Sequence, residues 1–320
     1  MSTSVNSARL DVLLDDYARL LGSDPGSAIV DQIFPVVDVP TLTGKFINVS
    51  GGFASQSPGN RLIMVDGQTE PMTIDVAMSQ IDGWNVEQCA LGTKVTKRTQ
   101  QALLRNGIDT RVVHTAILVR EYAVYRERLA EAIAFSTAVF TGRTEALTGP
   151  DQWSDDASDP VSDGQDAADS IEDATGEEPN TCVVGQAVHR KLRQHPAVLE
   201  YSSRTLNTVG LIKDAQIAEA LDVDNYVVGK MRSNTAVEGQ TATVAKIWGK
   251  FALFCKLRTS PQAMTPQSCL QRWRLRGSRD GEVQTWDHPG GYVEQIDMVR
   301  DDQLSAPTVA LGYLYSTVVA

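Results

Sequence analysis

"WSDDASDPVSDGQDAADSIEDATGEEPNTCVVGQAVHRKLRQHPAV", residues 153–198, decides how this chain reads. Its first part sets Asp155, Asp156 and Asp159 beside Trp153 and then stops on Pro160. Proline suits the first helical position, where a missing N–H costs nothing, and an aspartate just before it accepts the unpaired N–H groups of the first turn. Asp159 and Pro160 therefore start a helix, with Ser162 and Gln165 as an alternative capping box. Ala167, Ala168, Ile171 and Ala174 share one face of that helix, Asp166, Asp169, Glu172 and Asp173 lie elsewhere, and Gly176 ends it. Thr181 to Val184 then reads as a short buried strand and Gly185 as a turn, followed by a helix that His195-Pro196 stops. Helix, buried strand and helix describe a mixed α and β domain, with Trp153 anchoring the start of its first helix in the core.

The same carboxylates invite a metal reading. A calcium loop needs oxygen ligands at fixed alternate positions and a glutamate at the twelfth, but counting from Asp159 puts Val161 third and Ser170 last. The calcium reading fails on spacing, and helix capping plus solvated acids is preferred. A metal-dependent hydrolase using the Asp151–Asp163 cluster stays open as the alternative of another class.

Upstream, Asp109 or Thr110 can cap a helix whose Val112, Ala116, Val119, Ala123, Ala130, Ile133 and Thr137 recur at three- and four-residue steps, reaching about Phe140 before Gly142. About 30 helical residues span roughly 45 Å, which suggests a strut. Before it, "PMTIDVAMSQIDGWNVEQCA" (71–90) alternates, with Met72, Ile74, Val76 and Met78 on one face. Asp82-Gly83 is a tight-turn signal, and Trp84, Val86 and Gln88 fall on a second strand. An isolated ribbon is marginal in water, so it should dock on another element or another subunit. Residues 1–44 read as an arm: Asp11 to Leu21 as a short helix with Val12, Leu13, Tyr17, Leu20 and Leu21 inward, ended by Gly22, Pro25 and Gly26, then extended chain around Pro35 and Pro40. Downstream come a helix at Ala215 to Leu221, strands at Asn225 to Lys230 and Lys246 to Leu257, and two terminal strands at Gly291 to Arg300 and Thr308 to Val319.

The chain of 320 residues is 42% hydrophobic and 22% charged, enough to bury a real core in one large domain or two to three smaller ones. Asp11, Asp15 and Asp16 interrupt the one apolar stretch near the start, so no signal-peptide core is read there, and cytosolic synthesis is expected. Cys89, Cys182, Cys255 and Cys269 are far apart and read as buried free thiols, and His114, His189, His195 and His288 are equally scattered. Net charge is −11, yet no Lys or Arg occurs from Thr144 to His189, where twelve acids leave the rest of the chain at +1. That concentration excludes the basic footprint of a sequence-reading DNA binder. It reads first as a solvated face.

No Walker loop, Gly-x-Gly-x-x-Gly, Gly-x-Ser-x-Gly or His-Glu-x-x-His occurs, and Gly249-Lys250 lacks the flanking residues that cradle phosphate. No catalytic, cofactor-binding or metal-ligating residue is assigned. The residues singled out are structural: Asp82 and Gly83 for the ribbon turn, and Trp153, Asp159 and Pro160 for the helix start.

The order of arm, ribbon, long helix, mixed domain and terminal strands resembles the Hong Kong 97-like major capsid proteins of tailed phages, and four ordered blocks carry the likeness. "FPVVDVPTLTGKF" (34–46) is similar to the N-terminal signature of one capsid subfamily, and "WSDDASDP" (153–160) to its Trp-Ser-Asp…Ser-Asp-Pro element. "EPNTCVVGQAVHRKLRQHPAV" (178–198) is similar to its Pro-Asn-Thr, strand, helix, His-Pro block, and "WDHPGGYVEQIDM" (286–298) with "GYLY" (312–315) fits its C-terminal part.

The resemblance implies an α+β, Hong Kong 97-like fold: N-terminal arm 1–44, extended β-ribbon loop 45–93, peripheral domain with the spine helix 94–147, axial domain 148–274, and strands 275–320 returning to both. It implies a non-enzymatic, cofactor-free subunit that assembles through hexamers and pentamers into an icosahedral or prolate shell around double-stranded DNA, in the virion, after assembly in the host cytoplasm. Partners implied are other copies of the chain, a separate scaffolding protein, a portal protein, a decoration protein as a further candidate, and packaged DNA without sequence specificity; no membrane is involved. A separate scaffold is expected because about 44 residues precede the ribbon. Some members crosslink a lysine of the extended loop to a neighbour's asparagine, but residues 46–93 contain no lysine, so no such crosslink is expected through this loop. An encapsulin-like compartment shell is the alternative within the same structural class.

Overall fold

The computed structural model describes residues 9–10, 14, 18, 28–49, 78–206, 212–236, 240–241, 243–259, 267–278 and 281–320. After β1 (Arg9–Leu10), the four-residue helix α1 (Val30–Ile33) leads into β2 (Val36–Val39) and β3 (Thr43–Val49). β4 (Met78–Asn85) and β5 (Glu87–Thr96) are separated by Val86 alone, and α2 (Lys97–Leu104) precedes the long α3 (Thr110–Ala134). Then follow β6 (Thr144–Ala146), α4 (Pro160–Thr175), β7 (Thr181–Gly185), α5 (Gln186–Leu192), α6 (Pro196–Leu206), α7 (Asp214–Ala220) and β8 (Asn225–Gly229). The chain closes with the antiparallel pair β9 (Arg232–Asn234) and β10 (Val244–Lys246), then β11 (Ala252–Cys255), β12 (Gln271–Leu275), β13 (Glu282–Asp287), β14 (Val293–Ser305) and β15 (Gly312–Ser316).

Two sheets organise these elements. The five-stranded sheet runs β6-β15-β11-β7-β8 and is covered on both faces. Its strands alternate between two cores: Cys182, Val184, Phe254 and Tyr315 pack under α4 to α7, whereas Val183, Leu253, Cys255 and Leu314 pack with α1, the end of α3 and Trp248. That double covering is why Thr181–Gly185 is buried at every position, as expected of a strand with helices on both sides. The six-stranded sheet runs β1-β13-β14-β12-β2, with β5 on the other edge of β14. The 13-residue β14 holds it together, pairing along one edge with β5 and along the other with β13 and then β12.

The 25-residue α3 joins the sheets. Leu118, Val119 and Tyr122 pack on Val95, Ile296 and Met298 of the six-stranded sheet, and Ala130, Ala134 and Phe135 pack in the second core of the five-stranded one. Being covered by different partners along its length, the helix buries a broad, shifting face instead of a single stripe. Val112, Ala116, Ala123 and Ile133 are accordingly only half-buried and Thr137 is exposed, while Thr115, Leu118, Tyr122, Arg126 and Glu127 are buried. The helix also stops at Ala134, short of Phe140. Phe135 leaves helical geometry to set its ring edge-on to Trp248 and stacked on Phe251.

The ribbon differs from its sequence reading in one respect. Asp82 and Gly83 do not turn the chain: they lie inside β4, opposite Phe46 and Lys45 of β3. The ribbon's legs are therefore Thr43–Val49 and Met78–Asn85. Glycine serves close approach here, because a Cβ at Gly83 would stand 2.9 Å from the Gly44 carbonyl oxygen and one at Gly44 would enter the Trp84 ring. The face of Met72, Ile74, Val76 and Met78, and the inward set Val12, Leu13, Tyr17, Leu20 and Leu21, lie outside the side chains described. Leu14 and Ala18, which are described, are helical and buried.

Candidate assembly site

The opening acidic loop is a folding device. Trp153 is 1% exposed, its backbone N–H donates to the Val318 carbonyl at 2.8 Å, and its indole N–H donates to Asp163 Oδ2 at 2.6 Å. Asp159 Oδ1 accepts from the N–H groups of Val161 and Ser162, so Asp159 and not the Ser162 box caps α4, and Pro160 takes the first helical position. Asp155 Oδ1 accepts from the Ala157 N–H, while its carbonyl and the Ser158 hydroxyl both meet His195 Nε2, at 3.0 and 3.1 Å. Burial pushes the Asp163 carboxyl above its ordinary value, Glu145, Asp166 and Asp159 add to the push, and the Trp153 indole opposes it. Among the described residues no three His, Cys, Asp or Glu side chains converge as a metal ion requires. All four cysteines are free thiols.

The root of the ribbon is an aromatic stack. Trp273 on β12 lies between Phe46 on β3 and Trp84 on β4, with ring centroids 5.3 Å away on each side and planes within about 21° of parallel. Each indole N–H is satisfied, Trp273 donating to Ser305 Oγ at 2.7 Å and Trp84 to the Thr41 carbonyl at 3.1 Å. Val37, Val39 and Val86 close the cluster. The ribbon thus leaves the six-stranded sheet from a rigid base and not from a flexible loop.

A charged junction ties the segment preceding β2 to both sheets. Asp31 on α1 accepts from Arg126 of α3 at 2.8 Å and from Arg272 of β12 at 3.2 Å, and Arg272 also pairs with Asp302 of β14 at 2.7 Å. Burial alone would raise the Asp31 carboxyl, but Arg126, Arg272 and Arg300 together hold it down at about 2. Beside it the fully buried Glu127 accepts the N–H groups of Ile29 and Val30, at 2.6 and 3.1 Å, and the Trp248 indole N–H. Burial pushes Glu127 up against those donors. No sequence motif announces this junction, since Asp31 lies 95 positions from Arg126 and 241 from Arg272.

Several apolar side chains are exposed among the described residues. Val113, Ile117, Tyr125 and Leu129 of α3 are exposed, as are Leu104 and Ile108 before it. A groove of roughly 860 Å³ runs between β5, α3 and the β9-β10 pair, lined by Leu91, Arg120, Tyr125, Arg128, Arg232 and Val244 among others. Exposed apolar side chains grouped along α3 and beside a groove fit association.

Residues 140–250 match the family model described as phage major capsid protein E. The major capsid protein of Pseudomonas phage JBD67 is 35% identical over 113 residues, 35% of each chain, and that of Burkholderia phage BcepMu is 25% identical over 202 residues, 60% of this chain and 62% of its own. The matched stretches thus span about a third and under two thirds of these relatives. Among solved structures, a phage-related protein from Bordetella bronchiseptica RB50 superposes with TM-score 0.72 at 20% identity over 98% of both chains. The capsid of cyanophage P-SCSP1u gives TM-score 0.55 at 11% identity over 90% of this chain and 88% of that one. The chain has a mixed α+β fold that matches phage capsid structures.

Proposed function

We propose that this chain is the major capsid protein of a tailed phage, assembling through hexamers and pentamers into the icosahedral or prolate shell that encloses double-stranded DNA. The observation that carries the reading is the capsid family match at residues 140–250 inside a fold like that of capsid structures along nearly its whole length. The geometry supports it: a ribbon braced at its root, a helix spanning two sheets and exposed apolar surface are parts a self-contained enzyme would not need. In the Hong Kong 97-like description, residues 1–44 are the arm, 45–93 the extended loop, 94–147 the peripheral domain with α3 as spine, 148–274 the axial domain and 275–320 the returning strands. Scaffolding, portal and decoration proteins are proposed partners, DNA is held without sequence reading, and assembly takes place in the host cytoplasm. No helix among the described residues is long and apolar enough to cross a membrane.

The family match favours a virion over an encapsulin-like compartment. The hydrolase reading loses its support because Asp155, Asp159 and Asp163 are committed to backbone N–H groups and the Trp153 indole. Negative-stain electron microscopy of the purified chain, alone and coexpressed with a candidate scaffold, tests the proposal. Closed shells or rings of five or six subunits are expected, and a monomer or dimer under all of these conditions would overturn it.

A further inference from the structure

Acidic side chains gather around β6 and α4: Glu145 and Asp166 lie close enough to Asp163 and Tyr313 to add to the upward push of burial on both, and α4 exposes Asp166, Asp169, Glu172 and Asp173 in a helical stripe. Elsewhere on the chain Arg190 of α5, Arg232 of β9, Lys246 of β10 and Lys250, just before β11, are all exposed. Lys246 and Arg232 face each other across the β9-β10 pair. The Lys246–Arg232 pairing centres the patch, and Arg190, Arg232 and Lys250 add to slight desolvation in holding the Lys246 ammonium below its ordinary value. None of these four cations, and none of the four exposed acids of α4, forms an ion pair among the described residues, although ion pairs elsewhere are well made. Lys246 also lines, with Arg128 and Glu131, a groove of roughly 490 Å³ between α3 and the β9-β10 pair.

We infer that the acidic face of α4 on one copy docks against the Arg190, Arg232, Lys246 and Lys250 patch of the next copy. The inference rests on the capsid reading above and specifies one contact within it. Two different patches on one chain that complement each other make a head-to-tail contact, and such a contact closes into a ring when its rotation divides the circle. Each copy would present α4 and the basic patch as separate surfaces, and part of the acidic excess of residues 144–189 would be offset at each contact.

The test uses the full-length chain in three variants: Arg232→Glu with Lys246→Glu, Asp169→Lys with Glu172→Lys, and all four together. All the residues are exposed, so thermal melts should match the parent. Ring and shell yield is read by sedimentation and electron microscopy at about 0.15 M salt. Each two-site variant should fall about tenfold or more in assembly, because like charges then face each other. The four-site variant, and a mixture of the two-site variants, should recover it. Wild-type assembly should also weaken as salt rises, the opposite of what mutual repulsion of acidic surfaces would give. Normal assembly by both two-site variants, or no recovery in the four-site chain and the mixture, overturns the inference. So does assembly that is unchanged while nucleic acid content falls, since the patch would then face DNA. Failure of the unmodified chain to form rings or shells with any scaffold would instead count against the capsid reading itself.

Discussion

Trp84 and Trp273 stack with ring centroids 5.3 Å apart and planes 21° from parallel, joining the first strand that returns from the ribbon to a strand of the six-stranded sheet. Both side chains are buried, so removing either leaves a cavity beside an unsupported ribbon. Trp84→Ala should cost about 3–5 kcal/mol, read as a lower urea midpoint. Gly44→Ala should also destabilise, because the added Cβ would stand 1.9 Å from the Trp84 ring. Near-ultraviolet circular dichroism would show the loss of the stack in both variants.

Glu127 holds α1 and Trp248 together from the middle of α3. Glu127→Ala leaves two backbone N–H groups and an indole N–H without their acceptor, a loss of roughly 3 kcal/mol or more. Glu127→Gln keeps one acceptor oxygen and should cost clearly less. Urea unfolding followed by tryptophan fluorescence separates the two, and equal costs would mean that the carboxylate does not organise the junction.

The Asp31 carboxyl sits at about 2 in the folded chain against an ordinary 3.8. A depressed carboxylate favours the fold whenever it is ionised, so its contribution is present above about pH 3.8 and is lost as the pH falls toward 2. Unfolding midpoints measured across that window should fall with acid in the parent and fall less in Asp31→Asn, which should already be weaker at neutral pH.

Asp159 caps α4 by accepting the Val161 and Ser162 N–H groups. Asp159→Ala should destabilise by about 1 kcal/mol and Asp159→Asn by much less, since Asn caps nearly as well. Adding Mg²⁺ or Mn²⁺, or removing cations with a chelator, should leave the melting temperature of the parent unchanged. A specific site would raise it by mass action.

Short-range chemistry was legible without coordinates. The Asp159 cap, Pro160 at the first helical position and the strand from Thr181 follow from one or two neighbouring residues, whereas Gly185, read as a turn, belongs to β7, and Pro196, read as a stop, opens α6 after α5 has ended at Leu192. The start of α3 at Asp109 was equally plain, but its end was not. Phe135 leaves the helix for partners more than a hundred positions away, and helical periodicity carries no information about them.

Asp82-Gly83 shows the limit most clearly. The dipeptide has the conformational freedom for a turn and also for a crowded strand, and the choice falls to the facing strand, where Gly44 and Lys45 sit opposite Trp84 and Gly83. The capping chemistry, the strand from Thr181 and the concentration of acid in one segment were legible because they depend on neighbours in the chain or on composition, whereas α2, α6, β12 and β13 carried no such signal and were not read. Tertiary pairing alone settled which face of α3 is buried, what Trp84 stacks on, that Asp31 joins Arg126 to Arg272, and that Lys246 lies opposite Arg232. Those outcomes depend on pairings between distant segments, and their energies come from removing particular side chains from water together.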